Sequence, residues 1–512
     1  MKAFMRHVLP AGTLVASVLA MHTAVAALAA AAPLPAQAPA PTVAHQQTLT
    51  LQEAIEMAQR QGPAAQLARS TRAAARDRDR AFNAMNLLPQ VVLSGDAANL
   101  NRGINPITLP DGSTQFVSQA QNQSTLGLGL SQRLPLTGGT LTVQSAVSRI
   151  DLFGNQTSKY WQTTPVVVGL QQDLFKPRAL VWDERVEALT ATVAERSYLE
   201  AREDVAANTV SAFFDLYAAQ MNLDNAASNA AVNDTLYTLS NGRFEVGKIG
   251  ENELLQSQLA LLRARASVDD AKLARDRAEA ALRRMLDYPA GQSFSIVTPD
   301  SIPSIDADPD LAVREAVKNS STVEESELER VQAQRNVTQA RLANRFSATV
   351  AASVGFNQTA PVFGQAYQSP LGKQALQVSV NMPMVQWGAG RAALEAAKAD
   401  EQSTAATNRL RRDALLEDAR FSVLQLQQAV RNVLISAKAD TVAEKGFDVA
   451  KNRYVIGKIA ILDLYNSQSQ KDDAVLSYVA ALRNYWTSYY HLRRVTLYDF
   501  AKHQEMADER DR

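Results

Sequence analysis

Glu251, Glu253 and Asp463 stand a few positions beyond two glycines, Gly247 and Gly457, that lie 210 residues apart in matching surroundings. Carboxylates at such places neutralise the free N–H groups of a helix start and are favoured by the helix dipole. Where water reaches them they also attract cations. Asn466 follows one turn after Asp463, and Tyr454 stands three residues ahead of Gly457. Lys248 and Lys458, directly after the glycines, are either solvated or offered to a partner. Tyr485, Trp486, Tyr489 and Tyr490 occupy i, i+1, i+4 and i+5, and read as packing in preference to a ligand box. Little else is equipped for reaction chemistry. Cysteine is absent, which removes thiolate catalysis and thiolate metal sites, and the five histidines (His7, His22, His45, His491, His503) are scattered. No HExxH, GxSxG or GxxxxGKS/T spacing occurs. The chain is expected to be no enzyme and to need no cofactor or metal.

The elements that position these residues follow from composition and pattern. The 512 residues are 46% hydrophobic, enough for sizeable cores, and 52 basic residues balance 52 acidic ones. No whole-chain field gathers nucleic acid. Residues 1–32 read as a secretory signal, with Lys2 and Arg6 ahead of the apolar run Val8 to Ala20, and a cleavage site at Ala24-Val25-Ala26 or Ala30 to Ala32. The Ala/Pro/Gln stretch 33–47 reads as a flexible start of the mature chain. Without cysteine there is no N-terminal lipid on that residue. No other run of 18 apolar residues exists, so an exported chain of this kind is soluble, lies on a surface, or spans a membrane as a β-barrel.

The chain is a tandem duplication. Arg243-Phe244-Glu245-Val246-Gly247-Lys248-Ile249 matches Arg453-Tyr454-Val455-Ile456-Gly457-Lys458-Ile459, and the offset continues to Leu254 with Leu464. Upstream it changes: Leu88-Pro89-Gln90-Val91 pairs with Phe346-Ser347-Ala348-Thr349, so the first half carries extra sequence between about 101 and 163. That piece alternates at Thr125 to Leu130, turns at Thr137-Gly138-Gly139 and continues through Leu141 to Val147, which predicts an inserted β-hairpin. A strand starting at Val91, Leu93 and Gly95 is expected to pair with Pro165 to Gln171.

Each half reads as helix, strands, then a very long helix. Thr50 with Glu53 predicts a capped helix from Leu51, broken at Gly62-Pro63, and a second helix ends at Leu88 before Pro89. From Pro177 to Ser240 nothing interrupts a helix of roughly 95 Å, and Arg391 to Lys445 repeats this. Apolar steps of four and three (Val205, Thr209, Ala212, Leu216; Val423, Leu426, Val430, Val433) predict antiparallel coiled-coil neighbours. Two shorter helices stacked end to end match each long one, giving a wall with strands at one end and glycine turns at the other. The first repeat spans 48–300 with its tip at 241–251, the second 301–501 with its tip at 446–466, and a polar tail covers 502–512.

Over essentially the whole mature sequence the chain resembles the TolC family of outer-membrane efflux proteins. The likeness is carried by Leu51-Gln52-Glu53-Ala54-Ile55, Leu87 to Val91, Arg243 to Gly247 with Glu253-Leu254-Leu255, and Arg453 to Gly457 with Leu462-Asp463-Leu464, in order and duplicated. The resemblance implies a mainly α protein with membrane β: a homotrimer whose strands close one β-barrel in outer-membrane lipid of a Gram-negative bacterium, continued by a long antiparallel α-helical coiled-coil tunnel through the periplasm. It implies a passive channel of a tripartite efflux or type I secretion system, with a periplasmic adaptor meeting Gly247, Lys248, Gly457 and Lys458, and an inner-membrane transporter supplying energy. The family's gate aspartates fall on Asp463 and Asn466, its gate-linking tyrosine on Tyr454 and its basic partner on Ile459. Asn466 and Ile459 depart from that pattern, and Glu251 and Glu253 offer replacement charge. Three carboxylates near a threefold axis repel one another when empty and attract cations. A hairpin beyond two strands per repeat also departs from the family, and is expected near the barrel. The alternative is a periplasmic adaptor or other coiled-coil structural protein, which predicts one helical hairpin flanked by compact β-domains.

Overall fold

The computed structural model describes residues 47–108, 110–153, 157–289, 292, 294–298, 302–303 and 305–506. The expected signal, nearly all of the flexible start and the end of the polar tail lie outside them. The first half opens with strand β1 (Gln47–Thr50) and helix α1 (Leu51–Gln61), which Thr50 and Glu53 cap reciprocally: Glu53 N donates to Thr50 Oγ1 at 3.3 Å and Thr50 N to Glu53 Oε2 at 2.8 Å. Pro63 starts α2 (Pro63–Leu87), and Pro89 releases the chain into four long strands, β2 (Gln90–Thr108), β3 (Thr114–Arg133), β4 (Thr140–Phe153) and β5 (Ser158–Leu174). Helix α3 (Ala179–Glu245) returns 67 residues, about 100 Å at 1.5 Å each, and α4 (Glu251–Leu286) doubles back before β6 (Phe294–Val297) pairs in parallel with β1.

The second half repeats the plan with two strands instead of four: α5 (Pro309–Asn319), α6 (Ser321–Ala343), β7 (Ser347–Ala360), β8 (Leu371–Asn381), α7 (Ala389–Val455) and α8 (Ile461–Thr496), closed by the small hairpin β9 (Tyr498–Asp499) and β10 (Gln504–Glu505). Among the described residues, no helix is long and apolar enough to cross a membrane. Both long helices outrun their expected ends. α3 passes Gly242 and α7 passes Gly446 to stop at Glu245 and Val455. A helical glycine costs only about 1 kcal/mol, less than packing along a neighbouring helix returns.

The duplication is preserved down to single hydrogen bonds. Gln61 Nε2 donates to Leu286 O at 3.0 Å in the first half, and Asn319 Nδ2 to Thr496 O at 3.3 Å in the second. In each case an amide at the break between the two leading helices ties the far end of the returning helix. The shorter helices thus meet end to end, 25 and 36 residues beside 67 in one half and 23 and 36 beside 67 in the other. At this meeting level lies the main core, where Phe213, Phe214, Leu216, Leu282, Leu286, Leu426, Tyr485 and Leu492 are buried. Tyr489 and Tyr490 belong to it, and the Tyr485 hydroxyl donates to Pro303 O at 2.8 Å.

Among the described residues, six strands form one antiparallel sheet in the order β2-β3-β4-β5-β7-β8. The expected pairing of β2 with β5 is therefore corrected. β3 and β4 stand between them, with Leu93 opposite Leu128 and Val143 opposite Val168. The halves join where β5 meets β7. There a bulge in β5 presses on Gly355, whose added Cβ would sit 2.2 Å from Val166 O. Gly355→Val is expected to destabilise the junction by roughly 1–3 kcal/mol, read as a lowered midpoint of thermal unfolding.

Candidate functional site

The sheet has two chemically distinct faces. Since side chains alternate and paired residues share a face, the register assigns each side directly. Val91, Leu130, Val143, Val168 and Val354 make one continuous apolar row across five strands, and Leu141, Leu170, Ala352 and Leu376 make another. Along this face Val91 is 64% exposed, Val354 55% and Leu376 73%, while Leu130, Leu141 and Val143 in mid-sheet are half-buried. On the other face Asp96, Thr125, Ser148, Gln162 and Thr359 form a polar row, tied where the Thr125 and Ser148 hydroxyls approach to 2.9 Å. Asn99 opposite Gln123 and Asn101 opposite Gln121 extend that face with neutral amides.

Beyond Val147 the apolar face ends in the ion pair Arg149–Asp151 at 3.1 Å, beside Trp161, whose ring packs 5.0 Å from Phe363. At the helical end of the strands Phe175 and Phe346 lie 5.5 Å apart and Trp387 is 95% exposed. An apolar band bounded by aromatic residues on one side, with polar side chains on the other, is how a strand wall separates lipid from water.

At the opposite end of the long helices the two glycine turns are built alike. Gly247 (φ 68°) and Gly457 (φ 74°) take the left-handed conformation that closes a helix with two reversed hydrogen bonds. Gly247 N donates to Phe244 O at 2.9 Å and Lys248 N to Arg243 O at 2.8 Å; Gly457 N donates to Tyr454 O and Lys458 N to Arg453 O at the same distances. Lys248 and Lys458 are exposed, as are Glu251, Glu253, Asp463 and Asn466. Glu253 and Asp463 occupy equivalent positions in the two turns. They differ in use: the Asp463 carboxylate accepts from Ala460 N at 3.3 Å, capping its own helix, whereas no side chain caps the start of α4.

Tyr454 points inward. It is buried with Leu236, Phe447, Ala450 and Leu464, and the Arg243 guanidinium of the first turn lies over its ring at 5.5 Å. Arg243 thus binds one turn to the other. Above this cluster α3, α4 and α8 enclose a polar groove of about 470 Å³ lined by Asn233, Gln256, Tyr465, Gln468 and Asp472. Burial pushes the Tyr465 hydroxyl up to about 12 and raises Asp472, whose carboxylate accepts from Asn229 Nδ2 at 2.7 Å. Among the described residues no group of three or more histidines, cysteines or acids is arranged to hold a metal ion.

The family model for outer membrane efflux proteins matches residues 140–287 and 312–496, well over half of the chain. The chain belongs to the outer membrane efflux protein family. Solved structures agree with the fold. The Campylobacter jejuni CmeC outer membrane channel superposes with a TM-score of 0.64 at 17% identity, covering 90% of this chain and 87% of that one. The Vibrio cholerae outer membrane protein VceC gives 0.61 at 15% identity over 87% and 95%, and the open state of the Neisseria gonorrhoeae MtrE outer membrane channel 0.59 at 15% over 90% and 91%. No curated protein sequence matches. The first matched segment of this outer membrane efflux protein begins at Thr140, the first residue of β4, so β2 and β3 lie ahead of it. An efflux channel of the outer membrane is the role that both the family and the two-faced sheet support. Strands embedded between helices in both repeats leave no place for the adaptor plan of one helical hairpin between compact β-domains.

Proposed function

We propose that three copies of this chain close one barrel in the outer membrane and one helical tunnel in the periplasm, as the passive exit duct of a tripartite efflux or type I secretion system. The observation that carries this reading is the sheet with one apolar and one polar face, set on helices of about 100 Å. Six strands are too few to close alone, since the smallest barrels have about eight. In lipid the bare edges of β2 and β8 would leave backbone groups unpaired at several kcal/mol each. Other copies supply the missing partners. The glycine turns form the tunnel's far tip, where Lys248 and Lys458 meet an adaptor and an inner-membrane transporter supplies the energy.

At that tip Asp463, Asn466, Glu251 and Glu253 face the aperture, and Tyr454 under Arg243 holds the two turns of each protomer together. The test is single-channel conductance of the purified, detergent-extracted protein in a planar bilayer, with oligomer mass measured on the same sample. A trimer with discrete, cation-preferring conductance is expected. Asp463→Ala removes three charges from the trimer, each changing the energy of a cation about 7 Å away in water by on the order of 0.6 kcal/mol, so together about 1.8 kcal/mol, and cation preference is expected to fall about twentyfold at low ionic strength. Loss of the helix cap should also loosen the tip and raise conductance. A soluble monomer without conductance would sink the proposal.

A further inference from the structure

We infer that the barrel of this protein has eighteen strands, with β3 and β4 as full members of its wall; the inference rests on the trimeric channel proposed above. If the extra hairpin folded over the mouth or against the tunnel, it would not share the ladder of its neighbours. It does share it: β3 pairs with β2 from Gln90 to Thr108 and with β4 from Thr140 to Phe153, and β4 pairs with β5 over nearly its whole length. The hairpin's chemistry agrees. Leu126, Leu128 and Leu130 of β3 and Leu141, Val143 and Val147 of β4 lie on the apolar face, while Gln121, Gln123 and Thr125 with Gln144 and Ser148 lie on the polar one. A hairpin outside the wall has no need of a lipid side and a water side in phase with the strands on either hand.

The width of the wall accommodates six strands. Six strands about 4.8 Å apart, tilted about 40°, occupy about 38 Å of circumference per protomer. Each protomer's helices stand in four columns: α3, α7 and the two stacked pairs. At interaxial distances of about 8–10 Å these occupy about 32–40 Å. The strand layer and the helix layer are then equally wide. Four strands, two per repeat, would cover about 25 Å over the same four columns, so the width admits the broader wall and the ladder and its two faces decide for it. Closure by copies of this chain gives a barrel about 36 Å across between backbones, against about 24 Å for a twelve-stranded one.

The closing seam joins β8 of one protomer to β2 of the next. Both strands begin or end at the helical layer, Gln90 rising from α2 and Asn381 descending to α7. Running them antiparallel from that level sets Ser94 opposite Gln377, both on the polar face. Because the chain has no cysteine, Ser94→Cys with Gln377→Cys gives an unambiguous probe. Oxidation of that full-length double variant in membranes is expected to yield covalent dimers and trimers on non-reducing gels. Electron cryo-microscopy of the protein in lipid nanodiscs is expected to count eighteen strands. A trimer with twelve wall strands and β3–β4 outside overturns the inference while leaving the channel in place. A monomer whose sheet stays open, without cross-links, overturns both.

Discussion

Arg493→Met is expected to destabilise the fold by about 3–5 kcal/mol, because it strands the carboxylate of Glu203 in the core. Glu203 has no exposed surface, and its main partner is the Arg493 guanidinium, with Nε 2.9 Å from Oε2 and Nη2 donating to Oε1 at 3.3 Å. Arg493 also lies over the Tyr489 and Tyr490 rings and reaches Asp499 at 3.5 Å. Burial raises the pKa of Glu203, and Arg493 is the strongest influence holding it down. Without that cation the raised value climbs further, and the sign of the pH dependence follows. A folded pKa above the unfolded one means that the folded chain keeps a proton the unfolded chain gives up. The penalty is therefore absent below the unfolded value, near 4.3, and grows as pH rises through the folded one. Thermal unfolding of Arg493→Met should show its largest deficit at neutral pH and recover on acidification. Adding Glu203→Gln should restore much of the loss at neutral pH. Equal deficits at all pH values would show that lost packing on the tyrosines, and not the stranded charge, is the cause.

Val143→Arg is expected to cost about 2–4 kcal/mol per protomer, whereas Gln144→Arg, one residue along the same strand, is expected to be nearly neutral. Val143 faces the apolar side between Leu130 and Val168, and Gln144 faces the polar side between Gly129 and Val167. The contrast is read as resistance of the assembled protein to heat and detergent, and as yield in the outer membrane. Since β4 belongs to the extra hairpin, equal tolerance at both positions would remove it from lipid contact.

The duplication, the long helices and the glycine turns were legible in the sequence because each rests on a local rule. A left-handed residue needs glycine, as at Gly247 and Gly457, and a 67-residue helix needs freedom from proline. The Thr50–Glu53 cap was legible for the same reason. Strand neighbours were not. Alternation assigns faces but carries no label for the adjacent strand, so the pattern alone pairs β2 with β5 across an insertion that in fact lies between them. The contact of Arg243 with Tyr454 was equally hidden, since it links residues 211 positions apart and leaves no spacing to read. At the tip, Asp463 stands out in the sequence by its charge, and the fold adds a local task in capping Ala460.

The polar groove near the tip bears on how two such helices find their alignment. Much of the seam of α3 is alanine, including Ala212, Ala219 and Ala226, and a stripe of small residues tolerates sliding. Asn225, Asn229 and Asn233 interrupt it on successive turns, and Asn229 holds Asp472 of α8. Shifting α8 one heptad toward the tip, about 10 Å, would set that half-buried carboxylate against Leu236. An acid deprived of its amide and pressed on leucine is strongly disfavoured. The seam thus gives up some cohesion at one level and in exchange admits a single alignment, much as one buried asparagine does in shorter coiled coils.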